Sequence, residues 1–192
     1  MVVPYLFFLA LVASERFFEL ALSRRNAAWA FANGGVEAGR GHFPAMKLLH
    51  GGLIVGSALE VVSLGRPFIP SLGFPMLGLA LGAQALRYWA VTSLGRRWNV
   101  RVITIPGMPP STAGPYRFLR HPNYLAVVLE GFAIPLIHTA LLTATVFTVV
   151  NAFLLRTRIR CEERALGYRA RRARPPRAEP SAQSGGGGAP PL

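Results

Sequence analysis

The chain contains no aspartate, a single lysine (Lys47) and a single cysteine (Cys161) among its 192 residues. One cysteine excludes an intrachain disulfide framework and any zinc or iron–sulfur site built from several thiolates. Acidic residues number only 8, and charged residues of both signs make up 15% of the chain, well below the roughly 25% of soluble domains. With 52% hydrophobic residues, this shortage of charge argues against a soluble globular enzyme and points to a membrane protein. No Gly-x-Gly-x-x-Gly follows a strand-like run, so a soluble Rossmann cofactor site has no support. The length fits one ordinary domain and is too short for two large ones.

What charge there is carries information through its position. Lysine and arginine total 21, for a formal charge of +13, which taken alone is also the footprint of a nucleic-acid binder. Five apolar stretches divide the chain: about residues 2–22, 44–64, 69–91, 122–137 and 138–155. A bilayer core takes roughly 20 apolar residues per helix. The first three stretches qualify by length. The last two are short singly and too long together for one span, so a helical hairpin turning near Pro135–Thr139 is the economical reading.

Five spans place Arg24, Arg25, Arg40 and Lys47 on one side, together with Arg96, Arg97, Arg101, Arg117 and Arg120. Nine arginines from Arg156 to Arg177 join them, making 18 of the 21 basic residues. The other side holds only Arg66. The positive-inside rule then puts the N-terminus outside and the C-terminus in the cytoplasm. The expected fold is an all-α integral membrane bundle of about five transmembrane helices, N-out and C-in, with a C-terminal cytoplasmic interfacial helix. One membrane domain covers 1–174, followed by a disordered Pro/Gly-rich tail at 175–192 whose composition cannot bury a core. Nucleic acid drops out as a partner, because the charge marks a membrane face.

The first span does not read as a signal peptide: no basic region precedes it, and Ser14-Glu15-Arg16-Phe17-Phe18-Glu19 replaces a small-residue cleavage site. Arg16 and Glu19, three apart, pair on one helical face. That reads first as a structural ion pair. Glu130 stands alone in the fourth span, where an unpaired carboxylate is costly; a protonated or Arg-paired packing group and a functional group are equally open. His50 reads as a hydrogen-bonded packing residue, His138 as part of the outer turn, and Cys161 as inert. The small residues of the third span (Gly73, Gly78, Ala80, Gly82, Ala83, Ala85) favour close helix packing.

Two segments on the basic side stand out. The first is Gly114-Pro115-Tyr116-Arg117-Phe118-Leu119-Arg120-His121-Pro122-Asn123-Tyr124. Its prolines fix φ and suit the first turn of a helix, which gathers Arg120, His121 and Tyr124 at the mouth of the fourth helix. An interfacial Arg/Tyr belt accounts for these residues as well as a site does. The second is Arg156-Thr157-Arg158-Ile159-Arg160-Cys161-Glu162-Glu163-Arg164, where Arg158 and Glu162 are i,i+4 neighbours. Lipid headgroups attract arginines without help from acids, whereas adjacent Glu and Arg suit a zwitterionic ligand.

Gly-Pro-Tyr…Arg-His-Pro-x-Tyr, followed after a hydrophobic hairpin by Arg-x-x-x-Glu-Glu, resembles the isoprenylcysteine carboxyl methyltransferase family over about residues 70–172. That resemblance implies an integral membrane enzyme using S-adenosyl-L-methionine. It implies cofactor contacts from Tyr116, His121, Pro122, Asn123, Tyr124 and Glu162, within segments 108–124 and 156–168. Arg120 and Glu163 are implied as supporting cofactor-site residues, and Arg158 as the catalytic arginine facing the methyl acceptor. Met108–Ser111 falls where the family binds cofactor, but its Pro109-Pro110 departs from the family pattern. Further upstream, Glu15-Arg16-Phe17-Phe18-Glu19-Leu20, Ser23-Arg24-Arg25-Asn26, Gly35-Val36-Glu37 and His42-Phe43-Pro44 resemble a bacterial subgroup that O-methylates alkylpyrones or alkylresorcinols. The expected acceptor is lipophilic, carrying a carboxylate or a phenol/enol oxygen, and reaches the cytoplasmic face of the bacterial plasma membrane through the bilayer. Phospholipid N-methyltransferases and NADPH-dependent sterol-type reductases share a similar C-terminal architecture and form the alternative. A non-catalytic scaffold whose basic helix holds membrane lipids is the third reading.

Overall fold

The computed structural model describes residues 1–39 and 41–166. The tail expected at 175–192 and the basic residues beyond Arg164 lie outside the described residues. Five helices carry the fold: α1 (Val2–Ala32), α2 (His42–Ser63), α3 (Pro70–Leu94), α4 (Pro122–Leu136) and α5 (Leu141–Ala165). Two short strands, β1 (Val36–Ala38) and β2 (Val102–Thr104), pair antiparallel with Glu37 opposite Ile103.

The element ends follow local chemistry. Pro70 and Pro122 sit in the first turns of α3 and α4, where a missing N–H costs nothing. Gly34 and Gly95, just beyond α1 and α3, take positive φ of 78° and 53°, a conformation that stops a helix without strain at glycine. The hairpin turn falls between α4 and α5, where Thr139 adopts φ 55° and donates its hydroxyl to the Pro67 carbonyl at 2.7 Å.

No side chain of its own caps α5. Glu60 of α2 does so instead, accepting from the Leu142 and Thr143 amides at 3.0 and 2.8 Å and from the Thr143 hydroxyl at 2.9 Å. A carboxylate there meets the positive end of the helix dipole, and Arg66 balances it at 2.8 Å.

Helix α4 lies at the centre. Its 15 residues rise only about 22 Å, and most of them are buried. Tyr5 and Leu9 of α1, Val61 of α2 and Ala80 of α3 pack around Ala133 and Ile134, and the Tyr5 hydroxyl donates to the Ile134 carbonyl at 3.0 Å. On the other flank, Phe147 of α5 packs with Val127 and Leu53. Gly131 admits that ring: a Cβ there would lie 1.9 Å from Phe147 Cε1.

The outward faces are apolar. Leu48, Phe17, Val3 and Phe153 expose 78, 73, 77 and 68% of their surface. Soluble monomers rarely expose apolar area so extensively. Two helical stretches, Phe43–Ser63 and Leu141–Ala165, are long and apolar enough to cross a membrane.

The five helices are the all-α architecture expected, and a short β1–β2 ribbon ties the α1–α2 connection to the loop after α3. Three other expectations change. Helix α1 runs ten residues past the expected end of the first span. The basic segment 156–165 is the direct continuation of α5 rather than a separate interfacial helix; arginine, glutamate and leucine are good helix formers, so the helix outlasts its apolar stretch. Of the small residues in α3, Gly73, Ala80 and Ala83 are buried, while Gly78, Gly82 and Ala85 face outward.

Glu130 is paired with arginine. Arg87 of α3 donates from Nε and Nη2 to its two oxygens at 2.9 and 2.5 Å, and Arg16 donates at 2.8 Å. Arg16 also meets Glu19 at 2.6 Å, and Arg87 reaches Glu19 at 3.4 Å. The isolated-looking acid and the local Arg16–Glu19 pair thus form one buried group across α1, α3 and α4. His50 Nδ1 contacts the Met46 carbonyl at 2.8 Å, and His138 is 2% exposed in the hairpin turn.

Candidate functional site

The C-terminal ends of α1, α3 and α5 and the N-terminus of α4 meet at one end of the bundle around a cavity of about 150 Å³. Its position follows from connectivity. Successive antiparallel helices return their ends to the same level, and β1–β2 spans the loops between them.

The loop before α4 contributes first. Gly114–Arg117 forms a single 3₁₀ turn, and Gly114 has φ 55°. A Cβ there would come within 2.0 Å of Ser93 Oγ, so glycine alone lets the turn close against α3. Tyr116 follows and lines the cavity. Its phenol pKa is raised, first by burial and then by the Glu162 charge, which keeps it a neutral donor. Arg120, His121, Asn123 and Tyr124 line the same cavity, with the His121 and Tyr124 rings stacked at 5.3 Å.

Helix α5 supplies the opposite wall through Arg158 and Glu162. The Tyr124 hydroxyl joins them: it accepts from Arg158 Nε at 2.9 Å and donates to Glu162. Arg158, 8% exposed, also donates from Nη2 to the Val100 carbonyl. The two sequence segments, 34 to 38 residues apart, are therefore one site.

Seven of the nine expected site residues line this cavity: Tyr116, Arg120, His121, Asn123, Tyr124, Arg158 and Glu162. Pro122 is buried in the first turn of α4, where it shapes the backbone. Glu163 stands beside the site, its Oε1 3.6 Å from His121 Nε2. Met108, Pro110 and Ser111 also face the cavity, despite their Pro-Pro.

A second set of lining residues was not among the expected ones. Trp29 and Ala30 arrive from α1, and Trp98, Asn99, Arg101 and Val102 from the segment after α3. Ser23 and Asn26 of α1 hold that segment. Ser23 Oγ donates to Asn99 Oδ1 at 2.6 Å, Asn99 Nδ2 returns a bond to the Ser23 carbonyl at 3.1 Å, and Asn26 Nδ2 donates to the Trp98 carbonyl at 2.7 Å. Arg101 forms a bidentate pair with Glu37 across the β ribbon. The Ser23-Arg24-Arg25-Asn26 run carried part of this signal, since Ser23 and Asn26, three apart, share one helical face and both are buried.

The donor set is suited to a zwitterionic ligand. Among the described residues, Trp98 Nε1, His121 Nε2 and Asn123 Oδ1 are buried without a hydrogen-bond partner, and all three belong to cavity-lining residues. Buried polar groups are normally satisfied, so these three atoms around one hollow have bonding capacity to spare, His121 Nε2 having only the Glu163 carboxylate nearby at 3.6 Å. Glu162 offers a carboxylate to a cationic or hydroxyl-bearing group, and Arg158 a guanidinium to an anionic one. No group of three or more His, Cys, Asp or Glu residues able to hold a metal occurs among the described residues.

The model of the isoprenylcysteine carboxyl methyltransferase family matches residues 76–168, from within α3 to just past α5. The uncharacterized protein YpbQ of Bacillus subtilis is 36% identical over 161 residues, spanning 82% of this chain and 94% of that protein. An uncharacterized protein of Haemophilus influenzae is 24% identical over 162 residues, spanning 83% and 92%. No solved structure matches.

Proposed function

Because the chain belongs to the isoprenylcysteine carboxyl methyltransferase family, a family of membrane-bound methyltransferases, we propose that it transfers a methyl group from S-adenosyl-L-methionine to an oxygen of a lipophilic acceptor. The observation that carries this reading is the convergence of Tyr116, His121, Asn123 and Tyr124 with Arg158 and Glu162 around one cavity.

The cofactor, when bound, supplies an electrophilic methyl group on a sulfonium centre. Glu162 offers its free carboxylate capacity to the ammonium or ribose hydroxyls, while Tyr124 fixes that carboxylate's orientation. His121 Nε2 and Asn123 Oδ1 bond further polar atoms of the same ligand. Arg158, fixed by Tyr124 and the Val100 carbonyl, orients the anionic acceptor oxygen through its remaining N–H groups. A nucleophilic anion meeting a cation loses charge toward the transition state, so alignment in a dry pocket does most of the work. A carboxylate acceptor needs no base; a phenol, with a pKa of about 10, uses Arg158 stabilisation or His121 as base.

The same reading covers placement. All five helices cross or enter the bacterial plasma membrane, with the N-terminus outside and the cavity at the cytoplasmic face, where the arginines accumulate. The acceptor reaches the cavity sideways from the bilayer, and its class is an isoprenylcysteine-type carboxylate or an alkylpyrone or alkylresorcinol oxygen. The single Cys161, next to Glu162, tests the orientation: a membrane-impermeant maleimide should label it in inside-out but not right-side-out vesicles.

The activity test uses the purified full chain in detergent. Labelled S-adenosylmethionine should bind, NADPH should not, and methyl transfer should occur to S-farnesyl-N-acetylcysteine or to a 5-alkylresorcinol. His121→Ala and Glu162→Ala should each abolish cofactor binding. Absence of cofactor binding by the wild type, or unchanged binding by both variants, refutes the proposal.

A further inference from the structure

The indole N–H of Trp98 stands out among the groups the proposed chemistry does not use. Trp98 is 2% exposed, it lines the cavity, and its Nε1 has no hydrogen-bond partner among the described residues. A buried indole N–H ordinarily finds an acceptor. Trp98 also sits two residues before Val100, whose carbonyl binds Arg158, so its backbone and the acceptor-facing arginine are mechanically joined.

The placement of Trp98 is engineered by α1 rather than by its own neighbours. Asn26, 4% exposed, donates from one amide nitrogen to the carbonyls of Trp98 at 2.7 Å and Gly95 at 3.3 Å. Ser23, 2% exposed, receives the Val100 amide on Oγ at 3.1 Å while bonded to Asn99. With the Asn99 amide donating to the Ser23 carbonyl at 3.1 Å, five bonds thus clamp residues 95–100 from outside the region that the family model matches. Such a clamp fixes a side chain that must meet a ligand more closely than packing alone requires.

We propose that Trp98 is a ligand-binding residue whose indole N–H, together with the Arg158 guanidinium, holds the anionic oxygen of the methyl acceptor, and that Ser23 and Asn26 are the positioning residues that set it. Two features favour the acceptor over the cofactor. Trp98 is tied to Arg158 through Val100 rather than to Glu162, and the donors from the loop before α4 already serve the cofactor. A neutral donor beside a cation binds an oxyanion without adding a second charge that would over-stabilise the ground state. This inference rests on the methyl-transfer reading above.

The test is Trp98→Phe, which keeps the buried ring and deletes the N–H, in the full chain in detergent. Equilibrium binding of S-adenosylmethionine and of S-farnesyl-N-acetylcysteine is measured by calorimetry, alongside steady-state methyl transfer and the melting temperature. Expected are cofactor affinity within twofold of wild type and acceptor affinity weaker by about tenfold or more, the loss typical of a hydrogen bond to a charged group. KM should rise by the same factor, with kcat changed less. Asn26→Leu, which roughly keeps the shape but cannot donate, should shift acceptor affinity in the same direction with Trp98 intact. It supplies the answer if Trp98→Phe does not fold. Unchanged acceptor affinity, or a loss confined to the cofactor, overturns the inference while leaving the methyltransferase reading standing. A wild-type chain that binds no S-adenosylmethionine removes that reading itself.

Discussion

Arg87→Met removes the cation that holds Glu130 with two hydrogen bonds and touches Glu19 with a third. What remains is Arg16 alone among Glu19, Glu130 and Glu15, the last 3.9 Å away, so one further buried negative charge goes unbalanced. Breaking a buried pair by deleting one partner costs about 3–5 kcal/mol; Arg87 and Glu130 are 4 and 3% exposed, and water can relieve little of that. Methionine roughly preserves the volume, so the loss is electrostatic and not a cavity effect. The double variant Arg87→Met/Glu130→Leu restores the original balance and leaves the Arg16–Glu19 pair at 2.6 Å. It should recover most of the stability, because replacing a whole buried pair by apolar groups is often neutral. The assay is reversible unfolding in mixed micelles across a double-mutant cycle, with an expected coupling of about 2 kcal/mol or more. A single-variant cost below about 1 kcal/mol, or a double variant as unstable as the sum of the singles, would refute the view that these charges stabilise each other.

Three further outcomes follow from the packing and the site. Glu60→Ala leaves the Leu142 and Thr143 amides uncapped and should cost about 1–2 kcal/mol, read as faster hydrogen exchange confined to the first turn of α5. Gly131→Ala drives a Cβ into Phe147 and should destabilise by about 1–3 kcal/mol; adding Phe147→Leu should restore part of that, and no restoration would mean the contact is not the cause. Tyr124→Phe removes the hydroxyl shared by Arg158 and Glu162, so methyl transfer should fall by about tenfold with the melting temperature little changed, whereas a wild-type rate would show that the two side chains need no bridge.

Much of this architecture was written locally. The proline opening α4 and the short-range Arg16–Glu19 contact are properties of neighbouring residues, and each appears where the sequence placed it. The same holds for Arg158 and Glu162, which share one face of α5 by spacing alone, although their meeting with Tyr124 spans 34 and 38 residues. What escaped depends on partners far apart in the chain. Glu130 finds Arg87 across 43 residues, Glu60 caps a helix 82 residues away, and each strand of the ribbon is three residues long with its partner more than sixty residues distant. Trp98 escaped for a related reason. Its role depends on an unpaired N–H, and a sequence shows which groups exist but not which are left without partners. The basic end of α5 was read as a new element because it stops being apolar, although nothing there stops it being helical.

Helix α5 is held at two places: near its start by Glu60, through Leu142 and Thr143, and near its end by Tyr124 and Val100, through Arg158. Between Thr143 and Arg158 lie fifteen helical steps, about 22 Å of axial rise. This makes the spacing a gauge block. A single residue inserted between the anchors turns everything after it by about 100°, carrying Arg158 and Glu162 off the face that meets Tyr124 while Glu60 keeps its grip. Substitutions along the lipid-facing side of α5 leave that angular phase untouched. The helix is therefore free to vary in composition but not in length, and the depth of the cavity below the hairpin turn is set by counting residues.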